Sequence, residues 1–223
     1  MGASIDVTEL RANEDHKSML IAELDHRVKN TLACVSAIAL QTREDSFSMD
    51  DFLAAFNGRI HSLATTHALL SRSRWQAVGL AELIRNELAP CMKKDNTIVK
   101  GPEIYLSVEA AQTIAMVFHE LATNAAKYGA LSNSNGRVSV CWEKSGNGSS
   151  FDGLRFEWQE TGGPTVLPPG ACGYGTSVIR NLIPYELGGT VDYVFAPAGV
   201  RCTLQIPEKW LAGRGLNDRD QGP

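Results

Sequence analysis

Residues 118–129 read Phe118-His119-Glu120-Leu121-Ala122-Thr123-Asn124-Ala125-Ala126-Lys127-Tyr128-Gly129, and the two faces of this stretch decide the fold. Upstream, Ile114 shares a helical stripe with Phe118, Leu121 and Ala125, which predicts one long helix over about Val108 to Tyr128 with that stripe buried. Glu120, Asn124 and Lys127 recur at i, i+4 and i+7, within about 60° of one another around the axis. The apolar stripe lies roughly 100–150° away, so one side packs while the adjoining side faces a cavity. A carboxylate, an amide oxygen and an ammonium in a row suit a triphosphate with magnesium. Asn124 offers a hard oxygen ligand, Lys127 a phosphate contact, and Glu120 a hold on metal-bound water. An ordinary solvated face with a Glu–Lys pair has the same spacing, so this helix alone does not decide the chemistry.

The segments downstream favour a nucleotide. Strand-like Arg137–Glu143 and Leu154–Glu160 flank a hairpin-like Lys144–Asp152 with its Gly146-Asn147-Gly148 turn. The second strand ends in Glu160-Thr161-Gly162-Gly163, and Gly173-Tyr174-Gly175-Thr176 opens a helix expected to run to Glu186. Glycines at a strand end and a helix start let backbone approach a ligand, and the helix N-terminus offers free N–H groups to phosphate. Glu160 is placed to accept a hydrogen bond from the adenine amine. The Gly-x4-Gly-Lys-Ser/Thr loop is absent, and Gly173-x-Gly175 does not follow a strand as a dinucleotide fingerprint does. Strands over Thr190–Phe195 and Val200–Ile206 close the unit. Residues after Pro207 read as a tail, and upstream lie a helix over Leu80–Leu88 and strands at Thr97–Lys100 and Ile104–Leu106.

Before Trp75 the texture is wholly helical. Ile21, Leu24, Val28, Thr31, Val35 and Ile38 alternate spacings of three and four, and Leu53, Phe56, Ile60, Leu63, His67 and Leu70 repeat the pattern after a polar break, Arg43 to Asp51. Two seamed helices with a short connector predict an antiparallel hairpin, best buried by pairing with a second copy in a four-helix bundle. His26 points away from its seam, with Glu23, Lys29 and Asn30 on the same outward face. A neutral, oriented imidazole there can attack phosphorus, although an exposed helical histidine is more often just a solvated side chain. His67 falls on the second seam, where a structural role is expected.

The totals fit this reading. The 223 residues include 43% hydrophobic and 21% charged residues, with a net charge of −4 that gives no electrostatic case for nucleic acid. The apolar stretch Leu32–Leu40 is about half the ~20 residues a membrane span needs, and residues 1–17 carry no secretory pattern. Five scattered cysteines without a Cys-x-x-Cys pair argue against a disulfide framework or zinc and for a reducing compartment, with the cytoplasm as default.

Together the segments resemble the HWE family of sensor histidine kinases over nearly all of residues 20–207. The matching segments are His26-Arg27-Val28-Lys29-Asn30-Thr31-Leu32-Ala33, Arg59-Ile60-x-Ser62-Leu63-Ala64-x-x-His67-x-Leu69-Leu70, the asparagine box His119–Ser132, and Trp158-x-Glu160-x-Gly162-Gly163-Pro164. His119, Trp158 and Glu160 are the letters that define the family. The resemblance implies a helical dimerisation and phosphotransfer domain over 1–74, an ATP-binding α/β sandwich of the Hsp90, gyrase and histidine-kinase type over 75–207, and a tail over 208–223. It implies phosphorylation of His26, magnesium held by Asn124 with Glu120, and ATP contacts from Lys127, Tyr128, Glu160, Gly162, Gly163, Gly173, Tyr174, Gly175 and Thr176. Glu160 stands where many histidine kinases carry aspartate, so the carboxylate is set back further. Ten residues, Pro164–Gly173, leave room for a short nucleotide lid.

Commoner histidine kinases place an acid directly after the phosphoacceptor, whereas here Arg27 follows and Asp25 precedes. Glu23 or Asp25 is therefore the expected base, with Asn30 orienting the ring. The implied partners are a response-regulator receiver domain, a sensor outside this chain, and a second copy through the hairpin; no nucleic acid or membrane segment is expected. Two rival readings are a scaffold with an inactive ATP fold and a superfamily ATPase driving a clamp. The intact polar helix face and glycine segments oppose the first, and the hairpin bearing His26 opposes the second.

Overall fold

The computed structural model describes residues 7–46, 48–73, 75–92, 96–145, 152–166 and 174–213. Helix α1 spans Val7–Asp45 and α2 spans Met49–Arg72, so the break is narrower than the polar run suggests. Local side chains explain this. Thr42 Oγ1 donates to the Ile38 carbonyl and Ser46 Oγ to the Thr42 carbonyl at 2.7 Å, which satisfies acceptors at the end of α1. Ser48 caps α2 by accepting from the Asp51 N–H at 3.1 Å while its hydroxyl donates to the Asp51 carboxylate at 2.6 Å. Acidic Asp50 and Asp51 suit the positive end of the helix.

Packing divides the chain into Met1–Phe56 and Asn57–Pro223, a division that falls inside α2. In the first unit the expected seam is unevenly covered: Ile21 and Val28 are 66% and 55% exposed, while Ile38 is buried. In α2 the fully buried residues are Arg59, Ser62, Thr66, Leu69 and Leu70, whereas the expected seam residues Phe56, Ile60, Leu63 and His67 are only partly buried. The buried face of α2 is therefore offset from the apolar seam, and Arg59 can be buried there because Glu120 on another helix accepts from it.

The second unit follows an alternation of strand and helix periods. Its further elements are β1 (Val78–Gly79), α3 (Leu80–Leu88), β2 (Thr97–Lys100), β3 (Tyr105–Leu106), α4 (Val108–Lys127), β4 (Arg137–Ser145), β5 (Gly153–Thr161), α5 (Tyr174–Leu182), β6 (Thr190–Ala196), β7 (Gly199–Pro207) and β8 (Leu211–Ala212). The main sheet runs β2-β4-β5-β7-β6, with β2 parallel to β4 and the other neighbours antiparallel. Register places Val140, Trp158, Cys202 and Tyr193 in one row and Trp142, Phe156 and Leu204 in the next, all on the buried face. Helix α4, capped by Ser107, lays Phe118 on these rows, its ring centroid 5.9 Å from Phe156 and 6.2 Å from Trp158. A helical region followed by this sandwich is the fold class the sequence predicts.

Two elements differ from expectation. The helix expected to reach Glu186 is α-helical only to Leu182 and continues as a π turn over Ile183–Leu187. Pro184 has no N–H to continue the ladder, and Gly188, at φ 64°, closes the turn. The stretch after Pro207 is not wholly a tail. Residues Glu208–Trp210 form a 3₁₀ turn, β8 pairs with β3, and the Trp210 indole N–H donates to the Leu187 carbonyl at 2.7 Å. Short apolar pairs such as Trp210-Leu211 carry too little periodicity to be read as an element. No helix among the described residues is long and apolar enough to cross a membrane, and no disulfide joins the described cysteines Cys34, Cys91, Cys141 and Cys202.

These contacts predict that a chain ending at Pro207 unfolds at lower urea concentration than one ending at Gly213. The expected loss is about 1–3 kcal/mol, the scale of one hydrogen bond plus part of an aromatic burial. Equal midpoints would show that β8 and Trp210 add nothing.

Candidate functional site

Helix α4 grades from buried to open along its polar stripe. Glu120 is buried at 4% exposure, Asn124 is half-buried, and Lys127 and Tyr128 are exposed. The start of α5 closes over this stripe. A Cβ placed on Gly175 would stand 2.6 Å from Glu120 Oε2, 3.5 Å from Asn124 Nδ2 and 3.7 Å from Asn124 Oδ1. Two oxygen donors thus converge on the backbone of the segment expected to meet phosphate, and no side chain but hydrogen fits at Gly175 without displacing them. The Asn124 side chain also hydrogen-bonds the Tyr193 hydroxyl, whose ionisation burial holds well above the usual tyrosine range. Thr176 stands partly buried in the first turn of α5; the Tyr174 side chain and Gly173 lie outside the described residues.

Glu120 also has a partner that spacing on α4 could not reveal. Arg59 Nε donates to Glu120 Oε1 at 2.7 Å and Arg59 Nη2 to Oε2 at 3.3 Å, with both side chains at most 7% exposed. Beside this pair, His119 Nδ1 lies 3.3 Å from Glu87 Oε2 on α3, and a Cβ on Gly58 would stand 3.3 Å from His119 Nε2. Gly58-Arg59 on α2 therefore meets His119-Glu120 on α4. The only sequence signal for Arg59 was its place in a motif; its partner is 61 positions away.

Trp158 and Glu160 form a second constellation. Glu160 is 2% exposed, and its two oxygens accept from the Ala130 N–H at 2.7 Å and the Trp158 indole N–H at 3.1 Å. Glu160, expected to meet adenine, is thus enclosed by the segment after α4 and by its own strand. Burial pushes its carboxyl above the usual glutamate range, and the two hydrogen bonds oppose that shift. Cβ atoms on Gly129 or Gly199 would collide with Glu160, so both glycines shape its enclosure. The pair Gly162-Gly163 packs likewise against protein: Gly162, at φ 68°, faces the Asn135 carbonyl, and a Cβ on Gly163 would stand 2.7 Å from Ala130 Cα. These glycines admit the close approach of the backbone around Ala130 and Asn135-Gly136.

In the other unit, His26 lies on α1, and its side chain, with those of Glu23 and Asn30, lies outside the described residues. Asp25 pairs with Lys29 at 2.6 Å in an exposed i,i+4 bridge of the kind worth a few tenths of a kcal/mol. His67 sets its ring edge-on to Trp75 at 5.1 Å, and burial lowers its pKa, as a packed, structural imidazole requires.

The HWE histidine kinase family model matches residues 23–103. A blue-light-activated histidine kinase of Rhizobium johnstonii is 34% identical over 209 residues, covering 92% of this chain and 59% of that protein. One of Brucella anthropi is 33% identical over 212 residues, covering 93% of this chain and 42% of that protein. The chain therefore spans about half the length of the curated relatives it matches. Among solved structures, the Erythrobacter litoralis EL346 blue-light activated histidine kinase superposes with a TM-score of 0.59 at 18% identity, over 85% of this chain and 59% of that one. Its histidine kinase domain gives 0.53 at 16% identity, over 78% of this chain and 96% of that one. At that identity the likeness supports the fold alone.

The Glu160 enclosure has a pH signature. A folded-state pKa raised above the unfolded value means the folded chain binds the proton more tightly. Stability from this group is present at low pH and is lost as pH rises through the raised value. Wild type should therefore gain stability relative to Glu160→Gln when urea unfolding is moved from about pH 7 to about pH 5. A difference that is flat or shrinks over that interval contradicts the assignment.

Proposed function

This chain belongs to the HWE histidine kinase family, and we propose that it is a two-component kinase core that phosphorylates its own His26 from Mg-ATP. In this reading ATP lies between α4 and the segments around Gly162-Gly163 and Gly173–Thr176. The neutral imidazole attacks the γ-phosphorus, an N–P bond forms as the bond to the bridging oxygen breaks, ADP leaves, and a carboxylate accepts the ring proton. Glu23 or Asp25 is that carboxylate, with Asn30 orienting the ring. The phosphohistidine then passes its phosphoryl group to an aspartate of a receiver domain. Catalysis of this kind is mainly positioning and charge neutralisation.

The observation that carries the reading is the convergence of Glu120 and Asn124 on Gly175 at the start of α5. Two oxygen donors suit magnesium, which takes one or two protein oxygens and completes its shell with phosphate and water. Asn124 with Glu120 would hold the ion, which when bound neutralises phosphate charge. Lys127, exposed one turn further along α4, reaches outward toward phosphate, Tyr128 borders it, and the N–H groups at the start of α5 meet the anion. Exposed Ile21, Val28, Leu32, Leu40, Met49 and Leu53 support pairing of the helical unit with a second copy. Five scattered cysteines with no Cys-x-x-Cys pair support a cytoplasmic location.

Incubation with γ-labelled ATP should place acid-labile, alkali-stable label on His26 alone. His26→Gln should abolish labelling and leave nucleotide affinity intact, and Asn124→Asp should abolish labelling by spoiling the metal site. Gly175→Ala, whose methyl meets Glu120 Oε2, should lower the autophosphorylation rate at least about tenfold, the scale set by displacing a positioned group by an ångström. Label on another residue, or label persisting in His26→Gln, overturns the proposal.

A further inference from the structure

We infer that Arg59 is a positioning residue of the nucleotide site, holding Glu120 so that one carboxylate oxygen is presented to Asn124 and the start of α5. The inference rests on the kinase reading and adds to it a residue from α2. The contact is asymmetric. Glu120 Oε1 takes the short bond from Arg59 Nε, 2.7 Å, whereas Oε2 takes the longer one, 3.3 Å. Oε2 is also the oxygen that faces Gly175. A fork of this kind occupies one edge of the carboxylate and fixes its plane, leaving outer lone pairs of Oε2 directed at the site.

A purely structural pair is the alternative, and two observations speak against it. Buried ion pairs add little net stability compared with apolar residues of similar volume, so stability alone gives poor reason for an arginine here. The approach is also built for closeness at this point of α2: Gly58 precedes Arg59, and a Cβ there would press on His119, itself paired with Glu87. Glu120, placed on the metal-facing stripe of α4, thus has its rotamer set by a residue of a helix that begins in the other unit, at Met49. A shift of Arg59 would turn the carboxylate, so this part of α2 contributes to the nucleotide site through the one contact.

The test compares labelling kinetics of wild type, Arg59→Met, Arg59→Lys, Glu120→Gln and the Arg59→Met/Glu120→Gln double variant, with ATP affinity measured separately. Arg59→Met should lower the maximal autophosphorylation rate about 10- to 100-fold while KM for ATP changes less than about twofold. Arg59→Lys should recover only part of the rate, because an ammonium keeps the charge and loses the fork. The double variant should be no slower than Glu120→Gln, since the arginine acts through that carboxylate. A wild-type rate or faster in Arg59→Met overturns the inference, as do losses that multiply in the double variant or a change confined to KM. Should Arg59→Met fail to fold by circular dichroism, Arg59→Lys against wild type and Glu120→Gln carries the same comparison. Absence of label in wild type sinks the kinase reading and this inference together; label in wild type with an indifferent Arg59 sinks this inference alone.

Discussion

Helix α4 has to satisfy two environments at once, and the rest of the second unit is arranged around that constraint. Phe118 anchors one face on Phe156 and Trp158, where aromatic burial contributes several kcal/mol and leaves little rotational freedom. Once that face is fixed, the helical repeat fixes the azimuth of Glu120, Asn124 and Lys127 as well. These rows of the sheet set the angle at which α4 presents its polar stripe. Cross-strand register supplies the flat apolar platform, with Val140, Trp158 and Cys202 side by side in adjacent strands.

Around the stripe, charged groups are buried only where another element completes them. Glu120 meets Arg59 from α2, Glu87 meets His119, and Glu160 takes an N–H from Ala130 and another from Trp158. Desolvation would make each carboxylate costly alone; Arg59, His119 and Ala130 reach them from other elements, and Trp158 shares β5 with Glu160. Two of the three letters that name the family, Trp158 and Glu160, are thus one hydrogen-bonded unit, and the third, His119, sits beside the Arg59–Glu120 contact.

Glycines do similar service. Gly175 lies against the polar stripe. Gly129, Gly162, Gly163 and Gly199 are shaped by protein backbone and by Glu160, which the chain order cannot disclose. A missing side chain signals close approach in either case. The identity of what approaches is a tertiary fact.

Periodicity by itself determined that the chain begins with two long helices, that an amphipathic helix over residues 108–127 packs on strands, and that Glu120, Asn124 and Lys127 share a face. Those are consequences of 3.6- and 2-residue repeats acting on local sequence, and they need no knowledge of distant residues. Only the folded chain decided that Arg59 is buried against Glu120, that Glu160 is enclosed against the Ala130 N–H, and that Leu211-Ala212 returns to pair with β3. Each of these joins residues at least 30 positions apart, through hydrogen bonds whose geometry depends on how helices and sheet are stacked. Local sequence sets which groups face which side of an element; the packing of elements sets which group they meet.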